Sequence, residues 1–428
     1  MAIELESVVA ARPPGWPRRF TMVLFFFTCA LILYIDRVNI SVVAPILMTE
    51  FGWDPAVTGT ILSAFFVGYL LTQLPGGWLA DRFGGKAIIG FAVVWWSLAT
   101  FITPFAYAVP LMIAARIGLG IGEGVTPPAL HSMTARWIPA HERSRVIAFN
   151  VTGVYVGIMA AFLLSVWIVT HWGWSWVFYS FGLLGLLWAL LWYFLVTSWP
   201  EEHPTISPAE LAYIQQDLPE VAPVEAIPWR LFFSSSAFWA LVVGQFCTLW
   251  TWYMFLTWLP IYLVKARGFS LEEMGVYAML PYLAMLLAAN GAGWIADGLI
   301  RRGVSITLVR KGFQSLCFVG SAGCLLLLSA TTSQWLALLY IALGLGAVAT
   351  SAAGFLVNHL DIGPRYAGVL MGIANTVGTI PGILAPATTG FIIQFTGSWE
   401  LVFYLAAGIS GVGTLIWLLF ATGERVFE

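Results

Sequence analysis

Long apolar stretches separated by short polar intervals run through most of the chain. Twelve can be drawn, at 20–47, 57–80, 87–107, 110–135, 144–170, 174–198, 235–264, 274–298, 307–330, 334–358, 366–395 and 399–421. Each is long enough, as a helix rising about 1.5 Å per residue, to cross roughly 30 Å of bilayer hydrocarbon. Thr331-Thr332-Ser333-Gln334 reads as the turn dividing the ninth stretch from the tenth. One polar interval is much longer. Trp199 to Arg230 carries six prolines and six acids against the single base Arg230. Within it, Ser207-Pro208-Ala209-Glu210 has the form of a helix start, with Ser207 as N-cap and Glu210 three residues on. The pattern predicts an all-α membrane protein of twelve transmembrane helices in two halves. The N-terminal six-helix half covers 1–198, a linker 199–234, and the C-terminal six-helix half 235–428.

Composition agrees: 60% of residues are hydrophobic and only 9% are charged, against about 25% charged in a soluble domain. The 22 tryptophans suit interfacial belts and packed helices. The net charge of -2 argues nothing about nucleic acid, no basic run suggests it, and no nucleic-acid partner is expected. The four cysteines lie in apolar stretches without metal-ligand spacing, so no metal and no cofactor are expected. The first sixteen residues do not read as a signal or transit peptide. Lys and Arg set the orientation. Fifteen of the 19 fall on the side of the N-terminus, Lys265 and Arg267 on the other, and Arg37 and Arg116 inside apolar stretches. The positive-inside rule then puts both termini and the linker in the cytoplasm.

The halves echo each other. Gly76-Gly77-Trp78-Leu79-Ala80-Asp81-Arg82 closes the second stretch, and Gly291-Ala292-Gly293-Trp294-Ile295-Ala296-Asp297 closes the eighth. An Asp at a helix C-terminus opposes the macrodipole and calls for a cationic partner. Asp81, Arg82, Asp297 and Arg365 are therefore candidates for a latch closing the cytoplasmic side. This repeat, the two sets of six and the loop Gly77–Lys86 (GWLADRFGGK) together resemble the major facilitator superfamily, over essentially the whole chain. That resemblance implies two six-helix halves built of inverted repeats.

Four charges lie well inside the apolar stretches: Asp36, Arg37, Arg116 and Glu123. Such residues are costly in hydrocarbon and mark function. Asp36 and Arg37 are adjacent, hence about 100° apart on a helix, and cannot satisfy each other. Arg116 and Glu123 share one face, about 10 Å apart along the axis. Asp36 lies about 13 Å from the outer end of its helix, Arg116 about 9 Å and Glu123 about 20 Å from the outer end of theirs. The simplest assignment pairs Asp36 with Arg116. It leaves Arg37 facing a central cavity, where its fork of donors suits a carboxylate or phosphate. Glu123 is then a buried carboxylate without a permanent partner and a candidate proton carrier. The second half offers neutral groups such as Gln245, Tyr253 and Asn375. Asn375 stands out because Pro381, six residues on, is placed to break its helix around a cavity.

Asp36-Arg37-Val38-Asn39, Gly120-Ile121-Gly122-Glu123-Gly124, Glu142-Arg143-Ser144-Arg145 and Asp361-Ile362-Gly363-Pro364-Arg365-Tyr366-Ala367-Gly368 resemble the anion:cation symporter family. Thr307–Lys311 and Gly153–Gly157 are similar to plastid phosphate and organic anion transporters, and Thr257–Tyr262 to bacterial sugar-acid symporters. The resemblance implies alternating-access transport of a small anion, organic carboxylate or phosphate, with H⁺ or Na⁺ co-transported. It implies that Arg37 contacts the anion, that Asp36 and Glu123 take protons with Arg116 as partner, and that Tyr34, Tyr69 and Asn375 line the cavity. A monomer in a bacterial inner membrane is expected. A transporter-like sensor without net transport is the alternative from another class. An enzyme is excluded, because Asp36 and Glu123 have no nucleophile, base or metal companions.

Overall fold

The structure is a computed structural model describing residues 16–216 and 227–427. The expectation for the first sixteen residues, Trp16 apart, and that for the linker between 217 and 226 therefore lie outside the described residues. Among these, twelve helices are long and apolar enough to cross a membrane. In chain order, spans 1 to 6 are Arg18–Glu50, Pro55–Phe83, Gly85–Phe105, Val109–Trp137, His141–Trp172 and Ser175–Leu195. Spans 7 to 12 are Ser236–Ala266, Leu271–Arg301, Ile306–Ala330, Gln334–Ile362, Pro364–Thr396 and Trp399–Phe420.

Short polar residues set the helix starts. The Asp54 carboxylate accepts from Val57 N at 2.8 Å, with Pro55 in the first turn. Ser270 and Glu273 form a reciprocal capping box. Ser333, in the turn read from the sequence, accepts from Leu336 N at 3.4 Å. The duplication appears in the packing. Span 1 lies along span 5, span 2 along span 4 and span 3 along span 6. In the second half the same pairs recur as 7 with 11, 8 with 10 and 9 with 12. The halves meet through spans 2 and 11, 1 and 7, and 5 and 8.

Spans 2 and 4 approach backbone to backbone. A Cβ on Gly120 would collide with the carbonyl oxygen of Phe65, and one on Gly68 with that of Ile117. Glycine thus lets the helix bearing Arg116 and Glu123 press against the one bearing Tyr69.

The expected linker helix forms, as Pro208–Gln215, with the Ser207 hydroxyl accepting from Glu210 N at 3.1 Å. The Glu210 side chain does not reach back to Ser207. Its two oxygens accept from the backbone N–H groups of Arg18 and Arg19, 3.0 Å each, and so cap the start of span 1. Arg19 in turn bonds Glu142 of span 5 at 3.1 Å, and the Tyr213 hydroxyl donates to the same carboxylate at 3.0 Å. The linker helix is therefore built into the first half.

The break expected at Pro381 is not there. A continuous helix, Ala367–Thr396, runs through Pro381 and Pro386; proline removes one intrahelical bond, a loss that packed membrane helices absorb. Interruptions fall in other spans: in span 10, Thr350–Ala353 forms a 3₁₀ turn before Phe355–Ile362. Gln314 services it: its Oε1 accepts from Phe355 N at 3.1 Å while its Nε2 donates to Thr248 at 2.9 Å.

Candidate functional site

A cavity of about 370 Å³ lies between the halves, lined by Tyr34, Arg37, Tyr69 and Asn375, the four expected substrate contacts. Its wall continues past Thr134 of span 4, Ile147 of span 5 and Leu356 of span 10, all near the linker-side ends of their helices. The opposite side is shut. Ser63 donates to the Ile383 carbonyl at 2.7 Å, Lys265 to Thr49 at 2.9 Å, and a Cβ on Gly390 would sit 3.1 Å from Gly59 Cα. With the linker side cytoplasmic, this is an inward-facing arrangement.

The charges pair differently from the sequence expectation. Arg37 sends both Nε and Nη2 to Glu123 Oε2, at 3.0 and 2.9 Å. Its guanidinium also lies 4.5 Å from the Tyr34 ring centre, 4.8 Å from that of Tyr69 and 4.9 Å from that of Phe65, a cage of ring faces suited to a desolvated cation. Asp36 is not bridged to Arg116; its Oδ2 accepts from Trp96 Nε1 of span 3 at 3.1 Å. Arg116 also stands over the Phe65 ring, 5.2 Å from its centre, and reaches the Arg37 carbonyl at 3.5 Å. The reason lies in rotation and reach. Similar depth along the axis does not put two groups on facing sides. The rotation of span 1 turns Asp36 to span 3 and Arg37 toward spans 2 and 4, and the long arginine covers the height difference to Glu123. All four charges are buried. Among the described residues, Asp36 Oδ1, Glu123 Oε1, Arg116 Nε and both polar atoms of Asn39 have no hydrogen-bond partner.

Across the cavity stands a neutral ladder. Gln245 Nε2 donates to Asn375 Oδ1 at 2.5 Å, and Thr379, one turn along, bonds both the Asn375 carbonyl and Gln73 Oε1 at 2.9 Å. Sequence reasoning missed Gln73, Tyr155 and Trp96. Gln73 had a legible signal, since it follows Tyr69 by four residues and so shares its face. Of the other amides, Asn290 bonds the Leu286 carbonyl in its own helix and Asn358 bonds Thr422 O, so neither joins the site.

The latch residues do not meet across the halves. Asp81 accepts from Ser132 at 2.6 Å and Arg136 at 3.0 Å, both of span 4 in its own half. Arg82 lies over Trp78 and Phe83, and Arg365 over Tyr366. Among the described residues Asp297 has no ion pair within 4 Å. An open mouth on the linker side holds these elements apart, so the expected closure is not formed in this state.

Residues 26–386 match the family model of the Major Facilitator Superfamily. The chain is 46% identical to "Probable anion transporter 4, chloroplastic" of Oryza sativa subsp. japonica, covering 97% of the chain and 71% of that protein. It is 44% identical to "Ascorbate transporter, chloroplastic" of Arabidopsis thaliana, covering all of the chain and 80% of that protein. It is 43% identical to "Sodium-dependent phosphate transport protein 1, chloroplastic" of the same plant, covering 97% and 82%. These relatives lend no support to the bacterial inner membrane expected from the sequence. A solved bacterial homologue of the human lysosomal transporter Spinster shares the fold, with TM-score 0.77 at 18% identity over 95% of this chain and 97% of that one. The twelve spans in two packed sixes, the family match and these relatives agree: the chain is an integral multi-pass membrane protein, a transporter and not an enzyme, and it belongs to the major facilitator superfamily.

Proposed function

We propose that the chain carries a small anion, an organic carboxylate or inorganic phosphate, by proton-coupled symport, the two halves rocking around the central cavity. One observation carries this reading: a ring-caged arginine on the cavity wall whose acceptor is a carboxylate of the neighbouring helix. Arg37 serves as the anion site and Glu123 as its internal counter-ion. An entering anion competes with Glu123 for the guanidinium. Protonation of Glu123 removes that competitor, so proton and anion bind together. Asp36, held by Trp96, is the second proton site, and Arg116 supports the cluster through the Arg37 carbonyl. Tyr34, Tyr69 and Asn375, with Gln73 and Gln245, offer hydroxyl and amide groups to the body of the substrate. Asp81, Arg82, Asp297 and Arg365 form the cytoplasmic closure in the opposite state.

The substrates for which two relatives are named, ascorbate and phosphate, support an anionic cargo. The sodium-dependent relative favours Na⁺-driven phosphate transport as the second reading, with the same carboxylates as cation ligands. Uptake of labelled phosphate, ascorbate and a sugar acid into proteoliposomes, under imposed H⁺ or Na⁺ gradients, tests both. Accumulation driven by the pH gradient alone is expected. Accumulation that requires Na⁺ would replace the proton reading, and no uptake of any anion would remove the anion reading.

A further inference from the structure

One cation stands in the seam that closes the outer side. Lys265 lies on a π-helical turn, Tyr262–Ala266, at the end of span 7. Its Nζ crosses to span 1 and donates to Thr49 Oγ1 at 2.9 Å. Thr49 passes its own hydroxyl hydrogen to the Pro45 carbonyl at 3.1 Å, so it acts toward the lysine as an acceptor, as one donor and two lone pairs allow. That acceptor is neutral. No carboxylate lies within 4 Å of Lys265 among the described residues.

The acids near the seam are committed elsewhere. Glu50 accepts from Trp174 Nε1 at 2.8 Å, Asp54 caps span 2 and Glu273 caps span 8. The other cation of this face is also tied, Arg267 donating to the Tyr262 hydroxyl at 2.6 Å and to the Leu328 carbonyl at 3.3 Å. The outer face carries Glu50, Asp54, Glu272, Glu273 and Glu400 against Lys265 and Arg267. An arriving anion therefore meets a field of its own sign and two cations held only by neutral acceptors, of which Lys265 stands where the halves part.

We propose that Lys265 is the outer reception point for the transported anion: when spans 1 and 7 separate, its ammonium leaves Thr49 and takes the carboxylate or phosphate oxygens before they pass to Arg37. A compact ammonium on a flexible stem suits a transient hold better than a rigid guanidinium fork. A cation focused at a cleft raises encounter rates. The proposal rests on the anion reading above.

Sided proteoliposomes test it, with labelled phosphate, ascorbate and a sugar acid offered from either face. Lys265→Gln removes the charge while keeping an N–H donor for Thr49. It is expected to raise the outer-side KM about tenfold and to flatten its dependence on ionic strength, with the inner-side KM unchanged. Lys265→Arg restores the outer KM. Thr49→Val, which breaks the seam bond and keeps the charge, leaves that KM at the unaltered value or lower. An unchanged outer KM in Lys265→Gln, or an equal rise in Thr49→Val, overturns the proposal. Failure of the unaltered protein to carry any anion removes the anion reading itself, and the proposal with it.

Discussion

Arg37 and Glu123 join spans 1 and 4 through a single carboxylate oxygen, which takes two guanidinium hydrogens, while the other oxygen of Glu123 has no partner among the described residues. The pair is fully desolvated on the glutamate side and ring-caged on the arginine side. Buried pairs of this kind are weak contributors to stability, and breaking one by deleting a partner costs about 3–5 kcal/mol. Its value lies in what the arginine does when the glutamate lets go.

Arg37→Ala should abolish anion uptake, and Arg37→Lys should retain a trace, with kcat/KM lowered at least about a hundredfold because a point charge replaces a two-pronged donor. Initial rates in proteoliposomes decide it. Normal uptake by Arg37→Ala would dismiss the anion site.

Glu123→Gln should uncouple the protein. With no ionised competitor, the anion binds without a proton, so counterflow exchange persists while pH-gradient-driven accumulation falls to the equilibrium level. Accumulation at the ordinary extent would take Glu123 out of coupling.

Ser63→Ala removes a 2.7 Å bond that joins the halves only on the shut outer side. A net hydrogen bond is worth about 1 kcal/mol, or about a fivefold change in the balance of two states. The inward-facing population should fall accordingly. Thiol labelling of Val151→Cys, on the cavity wall, should slow in a background free of the native cysteines. A rate equal to that of the parent would show that this bond does not set the balance.

Gly120→Ala should destabilise without touching any charge, since the new methyl meets the backbone at Phe65 and Tyr69 rather than a yielding side-chain end. Overpacking of this kind costs about 1–3 kcal/mol. Thermal unfolding in detergent should register the loss, whereas Gly118→Ala, with nothing within 4 Å, should match the parent.

The membrane spans were legible because an apolar run of given length has one economical fate in lipid, and the linker helix because Ser207 and Pro208 are local signals. The four buried charges were legible as a set for the same reason. Their pairing was not. Depth follows from counting residues along an axis, but rotation about that axis depends on packing, and the close approach of spans 2 and 4 at Gly68 and Gly120 is invisible until both helices are placed. Trp96 escaped notice because a tryptophan in an apolar run gives no sign of where its N–H points. Whether Asp81 meets a partner across the halves depends on which side is open, and a sequence encodes both states at once.

Glu210 has a practical consequence for anyone wishing to produce the halves as separate polypeptides. A cut placed just after span 6 would strip the first fragment of the group that caps its own first helix, and would send a buried acid away on the second. Dividing the gene beyond Gln216 keeps that cap with its helix, and co-expressed fragments split there should assemble where the earlier cut fails.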